Sequence, residues 1–135
     1  MPIDFANFDQ RHYPVVSTRD GYGEWADSYE ATVPDEMDIR LLARLTPENW
    51  KNITAAADLG CGTGRIGGWL KSNGVTTIDG IDLTPEMLKL ARVKNVYRTL
   101  REGDVSRTAF ADASYDLAIA SLMDEHIRDL ATLYR

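Results

Sequence analysis

Three carboxylates and a run of alternate glycines carry the most specific chemistry in this chain. Asp58-Leu59-Gly60-Cys61-Gly62-Thr63-Gly64-Arg65 follows the short apolar run Ala55-Ala56-Ala57 and leads into a helical pattern. Glycines at alternate positions leave a loop with almost no side-chain bulk, free to adopt positive φ, so a ligand can approach the backbone closely. A helix starting directly after such a loop offers unpaired N–H groups to anionic or polar ligand groups. Asp58 adds a carboxylate at the same rim. Asp82 follows Gly62 by 20 residues, the distance at which an acid accepts hydrogen bonds from the two hydroxyls of a ribose. The competing reading of Asp82 is a helix-start acid beside Thr84. Asp104 ends the next apolar run, where an adenine would extend from that ribose. Together these residues outline a cofactor pocket.

The loop alone leaves the ligand open. Gly62-Thr63-Gly64-Arg65-Ile66-Gly67 satisfies G-x-G-x-x-G, the dinucleotide fingerprint, with an acid at the right distance. Gly60 and Asp58 stand against a nicotinamide cofactor, because a loop shaped for a pyrophosphate gains nothing from a carboxylate so close. Cys61 is the only cysteine; it reads either as a reactive thiol or as a small residue in a tight turn, and the loop chemistry favours the turn. A single cysteine permits no intrachain disulfide, which makes the cytoplasm the default compartment.

Four apolar runs must position these groups: about 53–59, 75–83, 96–101 and 115–120. Between them fall helical patterns. One runs from Gly64 to Ser72 with Ile66, Trp69 and Leu70 inward, stopped by Asn73-Gly74. Another starts at Thr84-Pro85-Glu86, with a hydroxyl N-cap, proline in the first turn and an acid at the positive end of the dipole, and extends to about Lys94. Asp124-Glu125 opens a last helix in which Ile127, Leu130, Ala131 and Tyr134 keep helical spacing. Strands alternating with helices, each strand a continuous apolar run, predict an α/β fold: a doubly wound parallel sheet covered on both faces. In such a sheet ligands bind beyond the C-terminal strand ends, and Asp58, Asp82, Asp104 and Ser121 all fall there.

Upstream, residues 1 to about 20 read as an irregular arm. Tyr22, Trp25, Ala26 and Tyr29 then form one stripe of a short helix, which could pack on the domain, cover a ligand, or do both. Met37 to Leu45 reads as a second helix, and Thr46-Pro47-Glu48 as the start of a short third. We therefore divide the chain into 1–50, an N-terminal arm with lid helices, and 51–135, the ligand-binding core. The net charge of −6 argues against a nucleic-acid partner, which needs clustered Lys and Arg, and suits a small positively charged ligand. No apolar run approaches the roughly 18 residues of a membrane span, no metal-ligand cluster stands out, and no signal pattern opens the chain.

These stretches resemble a family. Asp58-Leu59-Gly60-Cys61-Gly62-Thr63-Gly64 resembles the first motif of class I S-adenosylmethionine-dependent methyltransferases, and Gly80-Ile81-Asp82-Leu83-Thr84-Pro85-Glu86-Met87-Leu88 the second. Gly103-Asp104-Val105 is similar to the third, and Phe110 with Tyr115-Asp116-Leu117-Ala118-Ile119 to the fourth. Tyr22-Gly23-Glu24-Trp25-Ala26-Asp27-Ser28-Tyr29-Glu30 resembles the aromatic N-terminal helix of the small-molecule branch. The resemblance implies a Rossmann-like sheet with strand order 3-2-1-4. It implies that Asp58 and the backbone of Gly60, Cys61, Gly62 and Gly64 hold the methionine moiety, Asp82 the ribose and Leu83 the adenine edge. Asp104 would bond the adenine amino group beside Val105, and Ser121 and Tyr22 would line the methionine end. The cofactor implied is S-adenosylmethionine, with S-adenosylhomocysteine as product, and the acceptor a small molecule.

The family's sheet usually has seven strands, in the order 3-2-1-4-5-7-6, whereas four are read here. The expectation is a fragment, ahead of a natural short form or half of an assembly, with the fourth strand an uncovered edge through which copies could self-associate. No catalytic base is evident. His126 is the candidate near the fourth strand end, where a first-turn helix position is the plainer reading, and His12 is weaker. Ala120-Ser121-Leu122-Met123 lacks the Asn/Asp-Pro-Pro-Tyr pattern of amino-group methyltransferases acting on nucleobases or glutamine. Three functions follow in order of preference: small-molecule methyl transfer, a non-catalytic cofactor-binding or interaction module, and a nicotinamide-dependent oxidoreductase.

Overall fold

The computed structural model describes residues 10–33, 37–45, 50 and 52–134. Four short strands, β1 (Ala55–Leu59), β2 (Thr77–Asp82), β3 (Thr99–Glu102) and β4 (Leu117–Ala120), pair only in parallel and lie in the order β3-β2-β1-β4. This is the predicted order. In register, Asp58 stands between Gly80 and Ile119, and Asp82 beside Glu102. The chain reverses its direction of travel across the sheet between β1 and β4, which makes the crevice beyond their C-terminal ends the topological switch point.

Six α-helices are described: α1 (Thr18–Trp25), α2 (Tyr29–Thr32), α3 (Met37–Leu42), α4 (Arg65–Ser72), α5 (Pro85–Val93) and α6 (Leu130–Leu133). On one side of the sheet, Ile66 and Leu70 of α4 join Trp50, Ala56, Val75, Ile78 and Ile119 in the core, with Ile39 and Leu42 of α3 packed against it. Trp50 and Trp69 meet edge to face at 4.9 Å. Met87, Leu88 and Ala91 of α5 are likewise buried. These are the apolar positions whose spacing marked the helices in the sequence.

The boundaries shift where side chains compete for the ladder. The third strand begins at Thr99, not Val96, and there the Asp79 carboxylate takes the Thr99 N–H at 3.1 Å, while Tyr97 and Arg98 send their side chains to Asp58 and Asp79. The fourth begins at Leu117, not Tyr115, because the Asp116 carboxylate accepts the N–H groups of Thr54 and Ala55 at 2.9 and 3.0 Å. Thr84 occupies the N-cap position of α5 without a side-chain cap bond. The helix expected from Asp124 is broken: a 3₁₀ turn, Asp124–His126, stops at extended Ile127, and Asp129 caps α6 through the Ala131 N–H at 3.1 Å. The aromatic stripe of the N-terminal segment is also split, α1 passing through a 3₁₀ turn, Ala26–Ser28, into α2. The expected helical start at Thr46-Pro47-Glu48 and the first nine residues of the arm lie outside the described residues. Among those described, no helix is long and apolar enough to cross a membrane.

Candidate functional site

The glycine loop is fixed by its backbone. The N–H groups of Gly60 and Cys61 both donate to the Ile81 carbonyl, at 2.9 and 3.0 Å, so β2 holds the loop that leaves β1. Gly60, Gly62 and Gly64 take φ of +70°, +52° and +86°, values that exclude most side chains. At Gly62 a Cβ would meet nothing within 4 Å, so this glycine faces open space, whereas at Gly60 it would press on Met123.

Asp82 sits under that loop at the end of β2. Its Oδ2 accepts the Gly62 N–H and its Oδ1 the Thr84 N–H, both at 2.8 Å. The carboxylate is thus aimed by these two backbone donors, with the Thr84 hydroxyl and the Leu83 N–H also turned toward it. Burial raises its pKa against these bonds. Asp104 follows β3 and caps a 3₁₀ turn, Val105–Arg107, accepting from Ser106 N and Oγ at 2.9 and 2.7 Å; those bonds lower its pKa. Ser121 follows β4 and donates to Asp38 at 3.0 Å, and the same buried Asp38 pairs with Arg65 at 3.0 Å.

The N-terminal segment closes the site from above. Tyr22 stacks near Trp25 at 5.9 Å and meets His126 edge-on at 5.3 Å, its hydroxyl 2.9 Å from His126 Nε2. Burial, with Tyr29, Glu125 and Asp82 nearby, raises the Tyr22 pKa, so the phenol stays protonated at neutral pH. Glu30 accepts from Thr63 in the glycine loop at 2.7 Å and pairs with Lys94, while Arg19 pairs with Glu102 at 2.7 Å. Burial opposes ionisation of Glu30, but the bonds from Lys94 and Thr63 outweigh it and lower its pKa.

The result is a cavity of about 190 Å³. Of the residues singled out in the sequence, Gly60, Gly62, Asp82 and Leu83 line it from β1 and β2, Asp104 and Val105 from the end of β3, Ser121 from the end of β4, and Tyr22 from α1. Asp58, Cys61 and Gly64 do not line it. Asp58 is 1% exposed and accepts the Tyr97 hydroxyl at 2.7 Å. Burial pushes its pKa up to about 7 against that bond, with Asp82 adding to the rise. Cys61 is buried, and burial beside Asp58 and Asp82 pushes its thiol far above the usual range, which fits the small residue of a turn rather than a nucleophile. His126 belongs both to a 3₁₀ turn and to the cavity wall. His12 is exposed and outside it.

Sequence reasoning missed Tyr97, Asp38 and Met123. Tyr97 had a signal: Gly67 inside a helix and Gly80 inside a strand are costly there unless something must approach closely. Asp38 and Met123 had none, since only the tertiary fold brings them near residues 121 and 60.

A parallel sheet with this strand order, a glycine loop at the switch point and acids ending its neighbours define the class I methyltransferase architecture. Residues 57–135 match the family described as methyltransferase domain, and the chain belongs to that family. It is 30% identical over 116 residues to a malonyl-[acyl-carrier protein] O-methyltransferase of Serratia marcescens, covering 82% of this chain and 44% of that protein. Its identity to a malonyl-[acyl-carrier protein] O-methyltransferase of Pectobacterium atrosepticum is 33% over 130 residues, 92% of this chain and 50% of that protein. The chain spans about half the length of these curated relatives. Among solved structures, an S-adenosylmethionine-dependent methyltransferase of Mesorhizobium loti superposes with a TM-score of 0.55 at 32% identity, over 59% of this chain and 38% of that one. A TehB-like methyltransferase of Corynebacterium glutamicum superposes with a TM-score of 0.59 over 86% of this chain and 66% of that one; at 24% identity it shares the fold.

Proposed function

We propose that the chain binds S-adenosylmethionine in this cavity and serves methyl transfer to a small-molecule acceptor. One observation carries the reading: the Asp82 carboxylate, aimed by the Gly62 and Thr84 N–H groups, lies at the cavity floor beside an open glycine position. A ribose diol fits such an acceptor, and charge-assisted bonds to it are worth about 1.5–3 kcal/mol each. Leu83, Val105 and Met87 give the apolar surface for a flat base, with Asp104 at its edge. Gly60 and Gly62 give the backbone approach for the amino-acid end, and Ser121 and Tyr22 its wall. Asp58, one layer below, adds negative charge under the loop. When bound, the cofactor supplies a methyl group activated by its sulfonium.

What the chain's residues must then do is align the acceptor and exclude water. Tyr22 and His126 face the cavity as a hydrogen-bonded pair and are placed to orient an acceptor's polar group. The activity named for the two relatives makes a carrier-linked acyl carboxylate the first acceptor to try, with free small acids beside it.

Calorimetric titration with S-adenosylhomocysteine tests the reading, with NADH as the comparison ligand. We expect binding of the first and none of the second. Failure of S-adenosylhomocysteine to bind at millimolar concentration refutes the proposal; binding without methylation of any acceptor favours the cofactor-binding module instead.

A further inference from the structure

A half-buried tyrosine that no family motif pointed to sits directly behind the glycine loop. Its ring fills a notch left by three missing side chains. A Cβ on Gly64 would come within 3.0 Å of the Tyr97 ring and one on Gly80 within 2.9 Å, and a Cβ on Gly67 would overlap it. These glycines lie in the loop, in β2 and in α4, so the phenol touches every element that frames the loop. At the end of the notch its hydroxyl donates to Asp58 Oδ2 at 2.7 Å, and the Gly67 N–H donates to the same carboxylate. Glycines inside a helix and a strand each cost stability, and here the space they leave is occupied by one side chain.

We propose that Tyr97 is a positioning residue: seated in this notch, its phenol keeps the Asp58 carboxylate in place beneath the glycine loop and thereby sets the loop's affinity for a cationic ligand. The inference toward the ligand rests on the binding proposed above. The titratable groups facing Asp58 are Tyr97, Cys61 and Asp82. Burial, with Asp58 beside them, keeps the first two neutral. Asp82 repels the Asp58 charge, which leaves the Tyr97 and Gly67 bonds to hold it. With the Asp58 carboxyl pushed up to about 7, losing the Tyr97 hydroxyl removes one of the two bonds that favour its charge.

The test has two arms on the full chain. In the first, without ligand, the Asp58 carboxyl carbon is followed by NMR against pH in the parent and in Tyr97→Phe. The parent is expected to titrate near 7, and the variant about one pH unit higher, since it loses a bond that favours the charged form. A parent midpoint in the ordinary aspartate range near 4, or one unchanged in the variant, overturns the proposal. In the second arm, S-adenosylhomocysteine affinity is measured from about pH 6 to 9, bracketing the midpoint. At neutral pH the variant should bind about fivefold more weakly, as its ionised fraction falls from about a half to about a tenth, and the gap should close by about pH 9. A gap that does not close with pH marks a merely structural role. Asp58→Asn, which carries no charge, should lose the part of the pH dependence centred near 7 and keep only that of the ligand's own α-ammonium, and it decides whether the Asp58 charge acts on the ligand if Tyr97→Phe does not fold. Should no variant or parent bind S-adenosylhomocysteine, the proposed function fails, and the first arm still judges the Tyr97–Asp58 couple.

Discussion

Replacing Asp82 with asparagine separates ligand recognition from folding. Asp82 accepts one backbone N–H on each oxygen, from Gly62 and Thr84, and a ribose would use the capacity that remains. Asparagine has one acceptor oxygen, so its amide nitrogen must face either an N–H donor or a hydroxyl that needs an acceptor. Losing charge-assisted bonds of about 1.5–3 kcal/mol each, partly replaced by neutral ones, predicts a net loss of about 2–4 kcal/mol in binding, or about 30- to 1,000-fold. The fold should lose much less. Burial raises the Asp82 pKa, so the native state holds its proton more tightly than the unfolded chain, and ionising it at neutral pH costs stability. Asparagine removes that cost and gives up one ordinary hydrogen bond of about 1 kcal/mol, so the two changes oppose each other. Calorimetry with S-adenosylhomocysteine and a thermal melt on the same sample check both halves. An affinity within about threefold of the parent would refute the placement of the ribose here, since about 0.7 kcal/mol is less than one such bond. A melting temperature lower by more than about 8 °C, roughly 2 kcal/mol for a domain of this size, would make the binding loss a folding defect.

Two further outcomes follow from buried groups away from the cavity. Asp79, 2% exposed, accepts from Arg98, from the N–H and hydroxyl of Thr99 and from Tyr115. Burial opposes its ionisation, but these bonds outweigh burial and lower its pKa from 3.8 to about 2. That shift corresponds to about 2 kcal/mol of stability, complete above about pH 4 and lost as pH falls through about 2. Asp79→Asn should therefore lower urea stability by about 2 kcal/mol at neutral pH, and the difference should shrink toward pH 2; a difference equal at both ends would refute the account. Cys61 should react with iodoacetamide at least about 100-fold more slowly in the folded protein than in urea, and fast labelling of the native thiol would contradict its burial.

How much of this was legible depends on how local each cause is. The four strands, the two main helices and their buried faces followed from patterns a few residues long: Ile66 with Leu70, Met87 with Leu88 and Ala91, glycine at each alternate loop position. The order of the strands in the sheet came from the family resemblance, since no local pattern carries it. Asp82 was legible because its distance from Gly62 reflects the length of one strand–helix–strand unit. What failed were the ends. Asp116 and Asp79 accept backbone N–H groups, of Thr54, Ala55 and Thr99, that a regular ladder would have used, and Asp129 restarts a helix that periodicity alone would continue. Asp58 was read as a rim carboxylate; the register that sets it between Gly80 and Ile119 turns it under the loop, toward Tyr97. One residue from the end of a strand, the sequence does not say which face a side chain takes.

The cavity's floor and its cover are held by different kinds of contact, which bears on how a ligand enters. Floor contacts are short, and many are made by backbone: Gly60 and Cys61 to Ile81, Gly62 and Thr84 to Asp82, with buried Asp58 behind them. Breaking any of these strands a polar group out of water, at about 1–3 kcal/mol each. The cover is held by Arg19–Glu102, whose side chains are 50% and 46% exposed, by Glu30 with Thr63 and Lys94, and by Tyr22 with His126. The half-exposed Arg19–Glu102 pair contributes about 0–1 kcal/mol, since water replaces either partner, whereas the Glu30 carboxylate reaches a buried Thr63 in the glycine loop. Lifting the segment from Thr18 to Glu30 would break these contacts, including the one to Thr63, while the two backbone bonds that aim Asp82 lie outside it. Opening at the cover would keep the loop's backbone bonds to β2 and Asp82, and a floor formed in advance lowers the ordering cost of binding.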